Sequence, residues 1–367
     1  MEQFIMKTKV YMGKSALDHL GEIPMERVLV ICDPFIKESG MIDLVTKHLG
    51  RQVVCEVFSE VIPDPDVSVV TKGIGRMAAC VPDTLIALGG GSALDTAKAI
   101  RYIVEQGDEK KHCRLIAIPT TSGTGSEVTS FAVISDPDKN VKYPLRDDAM
   151  VPDIAMLDPI LTETVPPSIT ADTGMDVLTH ALEAYVSVRA CDFGDAFAEK
   201  AIKLVFDYLP TAVGQGDDKF ARERIHNASC MAGVAFNSTS LGLCHGMAHA
   251  LGARFHIAHG RSNALLLPHI IAYNASAAEE RYHELAGMLG IAGATPKASA
   301  LGLARKVSRL QEQIGIPNTV TALGISREEF IEAIPEMAKT ALEDPCTQTN
   351  PKSPELEEIQ RIFLKLV

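Results

Sequence analysis

Short apolar segments alternate with helical patterns through the first part of the chain. The apolar segments are 27–32 (RVLVIC), 52–58, 84–88 (TLIAL) and 114–118 (RLIAI), and residues 66–79 form one of the helical patterns between them. Strands that are buried on both faces occur as continuous apolar runs, because helices cover both sides of a parallel sheet. The alternation therefore predicts an α/β domain built on a parallel sheet.

Further segments complete this domain, and a different pattern follows it. The alternating start of the chain (MEQFIMKTKVYMG) predicts a strand, and segments 130–135 and 153–157 predict an extended pair that closes this half. After residues 158–168 helical patterns dominate, at 169–186, 193–209, 220–235, 279–289, 296–314, 327–342 and 354–366. Because 367 residues suit two domains, we expect an α/β domain over 1–166 and an all-helical domain over 167–367.

Charge and composition exclude several classes of function. The formal net charge is −12, which argues against a nucleic-acid partner because phosphate binding needs clustered Lys and Arg. No apolar run reaches the ~18 residues of a membrane span, and the start of the chain lacks the apolar core of a signal peptide. The eight cysteines include no C-x-x-C pair. We therefore expect reduced thiols in a cytoplasmic protein with no membrane partner.

The segment TLIALGGGSALDTAKAI has the order strand, glycine turn, helix. Gly89, Gly90 and Gly91 allow the backbone to approach a ligand closely. A helix that opens at Ser92 offers free N–H groups and the positive end of its dipole, which suits a pyrophosphate. The loop is neither G-x-G-x-x-G nor a Walker loop, so a tight turn without a ligand is the alternative.

A second polar loop, IAIPTTSGTGSEVT, follows the next apolar strand. Its hydroxyl-bearing residues are Thr120, Thr121, Ser122, Thr124, Ser126 and Thr129. Open α/β sheets bind nucleotides at the carboxyl ends of their strands, where both loops are expected. Asp33 ends the 27–32 strand, and a carboxylate there would accept hydrogen bonds from a ribose 2′-hydroxyl and repel a 2′-phosphate. The alternative is a turn residue before Pro34.

The helical segment TADTGMDVLTHALEAY carries Asp176 and His180 among apolar neighbours. Residues four apart share a helix face, so both side chains reach toward the same point. An unpaired buried charge costs several kcal/mol, and a metal ion would offset that cost.

Five of the eleven histidines lie in GLCHGMAHALGARFHIAHGRSNALLLPH. His245 and His249 share a helix face, and His259 lies beyond the helix end that Gly252 predicts. A lone histidine on an apolar helix is more often a satisfied core residue than a ligand. Here, however, one carboxylate and three imidazoles form a set suited to a divalent transition metal: Asp176, His180, His245 and His259.

Four motifs occur in order along the chain: GGGSALDTAKAI, PTTSGTGSEVT, TGMDVLTHALEAY and CHGMAHALGARFHIAHG. Together they resemble the iron-containing (group III) alcohol dehydrogenases, and the resemblance covers essentially the whole chain. It implies a dehydroquinate synthase-like fold, with an N-terminal NAD-binding parallel-sheet domain, a C-terminal all-helical metal-binding domain and an active site in the cleft between them. FSEVIPDPD and VISDPDKNVKYPL further resemble the branch of the family found in propanediol-utilisation microcompartments.

The resemblance also implies roles for individual residues. The metal ligands are the four residues named above, and His249 takes the position of a proton relay. The cofactor positions are Gly89, Gly90, Gly91, Ser92, Asp95, Thr120, Thr121, Thr124, Thr129 and Lys142, with Asp33 favouring NAD over NADP. Phe236 and Cys346 match positions that line the substrate pocket. The ligand set alone does not distinguish Fe²⁺ from Zn²⁺, and iron is what the resemblance implies.

We therefore expect an NAD(H)-linked, iron-dependent alcohol dehydrogenase that reduces propionaldehyde to 1-propanol. Phe131, with Phe236, is expected to build an apolar wall that favours a short alkyl aldehyde; the alternative is that Phe131 belongs to the core. Another short substrate of the same family, such as ethanol, lactaldehyde, 1,3-propanediol or 4-hydroxybutyrate, is the runner-up. A non-catalytic metal-binding or structural protein is the alternative of a different class. We also expect a homodimer or higher homo-oligomer, and a place in a bacterial microcompartment with a shell or enzyme partner.

Overall fold

The computed structural model describes residues 3–107, 112–137, 141–291 and 293–367, with the backbone alone at Val141 and Lys142. These residues divide into two compact units. The first is Ile5–Thr164, and the second is Val165–Val367 together with Gln3 and Phe4. The functional domains expected over 1–166 and 167–367 remain a prediction.

Parallel strands form the main sheet of the first unit. The strands of this unit, in chain order, are β1 Lys9–Met12, β2 Arg27–Ile31, β3 Val54–Phe58, β4 Thr84–Gly89, β5 Arg114–Pro119, β6 Phe131–Asp136, β7 Val141–Arg146 and β8 Ile154–Leu157. Six of them lie side by side in the order β1, β8, β5, β4, β2, β3, and all neighbouring pairs are parallel. Every residue of β4 is buried, as its continuous apolar run predicts.

Helices cover both faces of this sheet. They are α1 Pro34–Glu38, α2 Met41–Thr46, α3 Val67–Cys80 and α4 Gly91–Gly107. Leu85 and Ala87 of β4 belong to a core with α3 and α4, whereas Ile86 and Leu88 belong to a core with α1, α2 and a 3-10 helix at Ala16–Glu22. Successive side chains of a strand point to opposite faces, so one apolar run contributes to both cores. The expected parallel α/β sheet is confirmed.

Both extended segments expected at 130–135 and 153–157 are confirmed as strands, β6 and β8, but they do not pair with each other. β6 pairs in antiparallel register with β7, a strand that the sequence analysis missed, and β8 lies in the main sheet between β1 and β5. β7 is hard to identify because its sequence, VKYPLR, has no continuous apolar run and contains Pro144. Proline lacks the backbone donor that a central strand requires, and here it lies in a two-stranded hairpin.

The described residues of the second unit contain helices and no strands. The α-helices are α5 Pro167–Val186, α6 Asp192–Gly214, α7 Lys219–Thr239, α8 Leu243–Phe255, α9 His259–Asn274, α10 Glu279–Met288, α11 Pro296–Gln313, α12 Arg327–Glu343 and α13 Leu356–Phe363. Three 3-10 helices accompany them, at Thr321–Leu323, Pro345–Thr349 and Leu364–Leu366. The expected all-helical half is confirmed, and no helix among the described residues is both long and apolar enough to cross a membrane.

α5 is the most enclosed helix of this unit along its second half. Every residue from 174 to 186 is buried, and the helix packs against α6, α7 and α9. Most of its residues there are apolar, as expected for a helix surrounded by other helices. Asp176, His180 and Glu183 are buried with it, so each of these polar side chains needs a partner inside the protein.

The expectation that the helix of His245 and His249 ends at Gly252 is wrong, because α8 continues to Phe255. A β-carbon built on Gly252 would lie 3.2 Å from the carbonyl oxygen of Ile257, so the glycine gives room to the turn that follows. The helix ends where His256 adopts a left-handed φ of 54°. α9 then begins at His259.

Candidate active site

Four side chains able to bind a metal converge in the second unit. Asp176, His180, His245 and His259 each offer one ligand atom, and these atoms lie within 4.8 Å of one another. α5 supplies the first two, since residues four apart share a helix face. α8 supplies the third, and α9 begins with the fourth. The structure brings together the four residues that the sequence analysis selects, and their role as ligands remains a prediction.

The first turn of α9 approaches α5 closely. A β-carbon built on Gly260 would lie 2.2 Å from the carbonyl oxygen of Asp172 and 3.3 Å from the β-carbon of Asp176. Any side chain at this position would force the two helices apart. Glycine therefore allows His259 to reach Asp176, and Nε2 of His259 lies 3.5 Å from Oδ1 of Asp176.

The donor atoms suit a divalent transition metal. One carboxylate oxygen and three imidazole nitrogens match the ligand types that bind Zn²⁺ and Fe²⁺. Asp176, His180 and His245 are 3%, 5% and 1% exposed, whereas the side chain of His259 is 42% exposed. The cluster is thus enclosed by protein on one side and reaches solvent at His259, as a site with room for a substrate requires.

A second carboxylate holds one of these imidazoles. Oε2 of Glu183 lies 2.6 Å from Nδ1 of His245, and Nε2 of that ring lies 3.7 Å from Oδ1 of Asp176. Glu183 also accepts hydrogen bonds from the backbone N–H groups of Gly242 and Cys244. Carboxylates that bind the outer nitrogen of a metal-ligating histidine fix the orientation of its ring. The sequence analysis missed Glu183, although Asp176, His180 and Glu183 follow the i, i+4, i+7 spacing of one helix face.

Asn263 is a further polar residue that the sequence analysis missed. It follows His259 by one turn of α9 and is fully buried. Its amide nitrogen donates to Oδ1 of Asp176 over 2.8 Å and lies 3.1 Å from Nε2 of His245 and 3.2 Å from Nε2 of His259. One amide group therefore contacts three of the four predicted ligands. Asn263 lies four residues after His259, and this helical spacing could have identified it from the sequence.

The cluster changes the protonation of its own members. Burial alone would raise the pKa of Asp176, but His180, His259 and His245 outweigh it and hold the pKa well below its usual value. Burial likewise opposes a charge on His245, but its hydrogen bonds to Asp176 and Glu183 raise its pKa to about 9. A carboxylate kept ionised beside imidazoles is a suitable environment for a cation.

His249 lies beside this cluster and not within it. Its ring centroid is 5.3 Å from that of His259 and 6.1 Å from that of His245. Nδ1 of His249 is 2.8 Å from Oδ2 of Asp344, and the imidazole side chain is 43% exposed. An exposed imidazole held by a carboxylate can act as a general acid or base. The predicted relay residue thus lies next to the predicted metal ligands, and its role stays a prediction.

The predicted substrate-pocket residues occupy different units. Phe236 of α7 is buried and stacks on His180, with ring centroids 4.5 Å apart. Cys346 is partly buried, and its backbone N–H donates to Oδ1 of Asp344. Phe131 belongs to the first unit, where the guanidinium of Arg146 lies 5.0 Å from the centre of its ring. The joint apolar wall of Phe131 and Phe236 therefore stays a prediction.

The two predicted cofactor loops contact each other in the first unit. β4 and β5 are neighbours, and the backbone N–H of Thr120 donates to the carbonyl of Gly89 over 3.0 Å. A β-carbon built on Gly91 would lie 2.8 Å from Cγ2 of Thr124, and one built on Gly90 would lie 3.3 Å from Oγ1 of Thr121. A side chain at Gly90 or Gly91 would therefore crowd the second loop. Gly91 begins α4, so the free N–H groups of this helix, including that of Ser92, lie beside the second loop.

Asp33 lies at the same edge of the sheet, and each of its two carboxylate oxygens has a neighbour that bears on its role. Its Oδ1 accepts a hydrogen bond from the N–H of Ile36 and caps α1, as the turn interpretation predicts. A β-carbon built on Gly89, whose φ is 151°, would lie 3.6 Å from Oδ2 of Asp33. The second carboxylate oxygen thus lies near the glycine loop, as the ribose interpretation requires. The two interpretations are compatible, because each uses a different oxygen.

Asp95 and Thr129 surround a buried lysine that the sequence analysis missed. Lys98 is fully buried, and its ammonium group donates to Ser126, Thr129 and the carbonyl of Phe131. Asp95 accepts from the hydroxyl of Ser126 over 2.7 Å and from the N–H of Val133. Burial lowers the pKa of Lys98 to about 8, although Asp95 acts in the opposite direction. The network ties α4 to the second loop.

The cofactor roles of Asp95 and Thr129 stay predictions, as do those of Gly89, Gly90, Gly91, Ser92, Thr120, Thr121 and Thr124. Lys98 follows Asp95 by three residues. This D-x-x-K spacing places both side chains on one helix face and could have identified the two residues from the sequence. The side chain of Lys142 lies outside the described residues.

Comparisons with known proteins agree with this arrangement. Residues 7–159 match the family model described as iron-containing alcohol dehydrogenase, and residues 170–367 match the model described as the C-terminal part of the Fe-containing alcohol dehydrogenase family. The chain is 46% identical to the 1-propanol dehydrogenase PduQ of Salmonella typhimurium over all of both chains.

Solved structures share the fold over the whole chain. An alcohol dehydrogenase from Oenococcus oeni has a TM-score of 0.94 and 32% identity, with all of both chains covered. A sulfoacetaldehyde reductase from Bifidobacterium kashiwanohense, solved in complex with NAD⁺, has a TM-score of 0.89 and 29% identity, covering all of this chain and 98% of that one. The chain therefore belongs to the iron-containing alcohol dehydrogenase family, a family of oxidoreductases.

Proposed function

We propose that the protein is an iron-dependent, NAD(H)-linked reductase of short alkyl aldehydes that converts propionaldehyde to 1-propanol and regenerates NAD⁺. The observation that carries this proposal is the convergence of Asp176, His180, His245 and His259 within 4.8 Å. Membership of the family supports iron and NAD(H) as the cofactors. The similarity to the Salmonella typhimurium enzyme supports the substrate.

In this proposal the four clustered residues hold the cation. When bound, the cation supplies a Lewis acid for a carbonyl oxygen, and the nicotinamide supplies a hydride. Glu183 keeps the ring of His245 oriented through Nδ1, so that its Nε2 faces the cation position. Asn263 holds the carboxylate of Asp176 by a hydrogen bond. These two residues act through the ligands and are positioning residues.

His249 moves the proton in this proposal. Reduction of an aldehyde consumes a hydride and a proton, so a group with access to solvent must deliver the proton. The side chain of His249 is 43% exposed, and Asp344 orients its ring through Nδ1. The other ring nitrogen, Nε2, is therefore the atom that exchanges the proton. General acid catalysis of this kind contributes about 10²–10⁴-fold in rate.

The first unit binds the dinucleotide in this proposal, and the second unit holds the metal. The loop at 89–92 takes the pyrophosphate at the start of α4, and the loop from Thr120 to Thr129 lines its other side. Oδ2 of Asp33 is free of the helix cap and selects NAD(H) by accepting from the ribose 2′-hydroxyl. The NAD⁺ complex of the sulfoacetaldehyde reductase supports this cofactor.

The substrate pocket is apolar beside the metal ligands. Phe236 covers one face of the His180 ring, so an alkyl chain that enters here meets an aromatic surface. A hydroxyl or carboxylate on the substrate would be buried without a partner at a cost of ~1–3 kcal/mol. Cys346 adds to this pocket in the proposal, and a role for Phe131 of the first unit stays a prediction. We further propose a homo-oligomer that works in a bacterial microcompartment, on the basis of the resemblance to the propanediol-utilisation branch.

Turnover of three aldehydes tests the proposal. The iron-loaded enzyme is assayed anaerobically with NADH and with propionaldehyde, lactaldehyde or succinic semialdehyde. We expect kcat/KM to be highest for propionaldehyde, and by about tenfold or more given the cost of a buried hydroxyl. Phe236→Ala should reduce this preference, because it removes the aromatic surface. Preference for either polar substrate contradicts the apolar pocket, and absence of turnover with all three contradicts the assigned reaction.

A further inference from the structure

His249, Asp344 and Cys346 form a second group of potential metal ligands in the second unit. One imidazole nitrogen, one carboxylate oxygen and the thiol sulfur lie within 4.8 Å of one another. His249 comes from α8, whereas Asp344 and Cys346 come from the turn between α12 and α13. This group shares no member with the Asp176 cluster, and it alone of the two contains sulfur.

The backbone places these three side chains firmly. Oδ1 of Asp344 accepts the N–H of Cys346 over 2.8 Å, and Oδ2 of Asp344 is 2.8 Å from Nδ1 of His249. The hydroxyl of Thr347 donates to the carbonyl of Ala341 and touches α8 at Gly246, where a built β-carbon would lie 2.2 Å from it. The turn is therefore packed directly on the helix of His249. The three side chains are therefore held close together before a cation binds, which lowers the entropy cost of binding.

We propose that His249, Asp344 and Cys346 bind a second divalent cation of borderline softness, such as Zn²⁺ or Co²⁺. A mixed set of nitrogen, oxygen and sulfur suits these ions, whereas Mg²⁺ and Ca²⁺ require oxygen ligands. The cation takes the place of the proton on Nδ1 of His249, this proton moves to Nε2, and the Cys346 thiol releases its proton to solvent. Ligand atoms around a tetrahedral Zn²⁺ lie about 3.3–3.6 Å apart, so Nδ1 of His249 and Oδ2 of Asp344, which are 2.8 Å apart, separate slightly to admit the cation.

The second cation inhibits the enzyme, and this consequence rests on the proposed function. A cation on His249 occupies the imidazole lone pair, so the ring no longer accepts or delivers a proton. Cys346, a predicted pocket residue, is held at the same time. Zn²⁺ added beyond the equivalent at the Asp176 cluster should therefore lower turnover, and a chelator of moderate affinity should restore it.

Absorbance with Co²⁺ as the probe separates the second site from the first. The full-length, iron-loaded protein is titrated anaerobically with Co²⁺ in the absence of substrate and nucleotide. Thiolate bound to Co²⁺ gives an intense near-ultraviolet charge-transfer band, and the Asp176 cluster contains no sulfur that could produce it. We expect the band to grow to one equivalent of Co²⁺ in the wild type and to be absent in Cys346→Ser. Cys55→Ser is the matched control and should keep the band, since Cys55 is an exposed thiol of the first unit.

A second pair of variants tests the other two ligands. His249→Gln and Asp344→Asn should each weaken Co²⁺ binding about tenfold or more while leaving the iron content unchanged. A band of wild-type size in Cys346→Ser, or no band in the wild type, overturns the second site. Turnover before Co²⁺ is added reports on the proposed function separately, so an inactive enzyme that still shows the band contradicts the function and keeps the site.

Discussion

Glu183 and His245 form a buried carboxylate–imidazole pair in which Oε2 lies 2.6 Å from Nδ1. The two side chains are 3% and 1% exposed. Because Nδ1 is engaged by Glu183, Nε2 is the nitrogen that faces Asp176. The direction of one predicted metal ligand is thus set by a residue on the same helix face as two of the others.

Glu183→Gln should weaken cation binding without unfolding the protein. The amide keeps the size of the side chain but removes the charge that fixes the His245 ring. Loss of such an outer partner typically reduces metal affinity about 10–100-fold. The dissociation constant for Zn²⁺, measured by competition with a chelator, checks this. Glu332→Gln, an exposed glutamate of α12, is the control and should match the wild type; equal affinity in both variants would show that Glu183 does not position His245.

His249→Asn should lower kcat by about 10²-fold or more and change the pH profile of kcat. Asparagine keeps a polar side chain beside Asp344 but cannot exchange a proton. Iron content and NADH affinity should stay at wild-type values, because His249 is neither a predicted iron ligand nor a predicted cofactor residue. A variant with the wild-type rate and the wild-type pH profile would rule out the relay.

Lys98→Met should destabilise the first unit strongly. The substitution removes the buried ammonium that donates to Ser126, Thr129 and the carbonyl of Phe131 and that lies near the buried Asp95, and buried polar groups left without a partner cost about 1–3 kcal/mol each. Urea unfolding measures the loss, and the double variant with Asp95→Asn should recover part of it. Lys72→Met provides the matched control, since Lys72 is 61% exposed and its pairing with Glu60 should be worth less than about 1 kcal/mol. Equal losses in the two single variants would show that the Lys98 network does not hold the loop.

Glu358 should make stability depend on acid pH. Lys352, Tyr273 and the N–H of Glu355 all donate to its carboxylate and lower its pKa to about 2. A carboxyl whose pKa is depressed on folding contributes stability above its unfolded value of about 4.5, and this contribution disappears as the pH falls toward 2.

Glu358→Gln should therefore cost about 1 kcal/mol at pH 7 and less at pH 3. The free energy of unfolding in urea at the two values of pH gives the comparison. Glu357→Gln, an exposed neighbour on the same helix, should show no such difference. A cost for Glu358→Gln that is the same at both values of pH contradicts the assignment.

The fold was predictable wherever burial alone decides the pattern. β4 is buried along its length and β5 is buried from Leu115 to Pro119, so their identity as central parallel strands follows from their apolar runs. β7 was missed because VKYPLR has no continuous apolar run and contains Pro144, which argues against a strand. The end of α8 was misplaced because Gly252 serves a close approach by Ile257 and does not terminate the helix. Both errors concern the packing of one segment against another. The local sequence pattern does not show this packing.

The metal ligands were accessible from the sequence because two of them share a helix face. Asp176 and His180 are four residues apart, and the spacing itself places both side chains on one side of α5. Glu183 and Asn263 were missed, although each lies at helical spacing from a selected residue. Their importance appears only once α8 and α9 are packed against α5. Lys98 was missed for the same reason, since Ser126 and Thr129 approach it from a distant segment.

The cation content of anaerobically purified protein is the most direct test of the central claim that Asp176, His180, His245 and His259 hold a catalytic metal. We predict about one divalent cation per chain in the wild type, with turnover restored to the stripped protein by Fe²⁺ more fully than by Zn²⁺. His180→Ala and Asp176→Asn should lose both the cation and the activity, whereas His249→Asn should keep the cation. Variants at positions 176 and 180 that retain full cation content and full turnover would contradict the account.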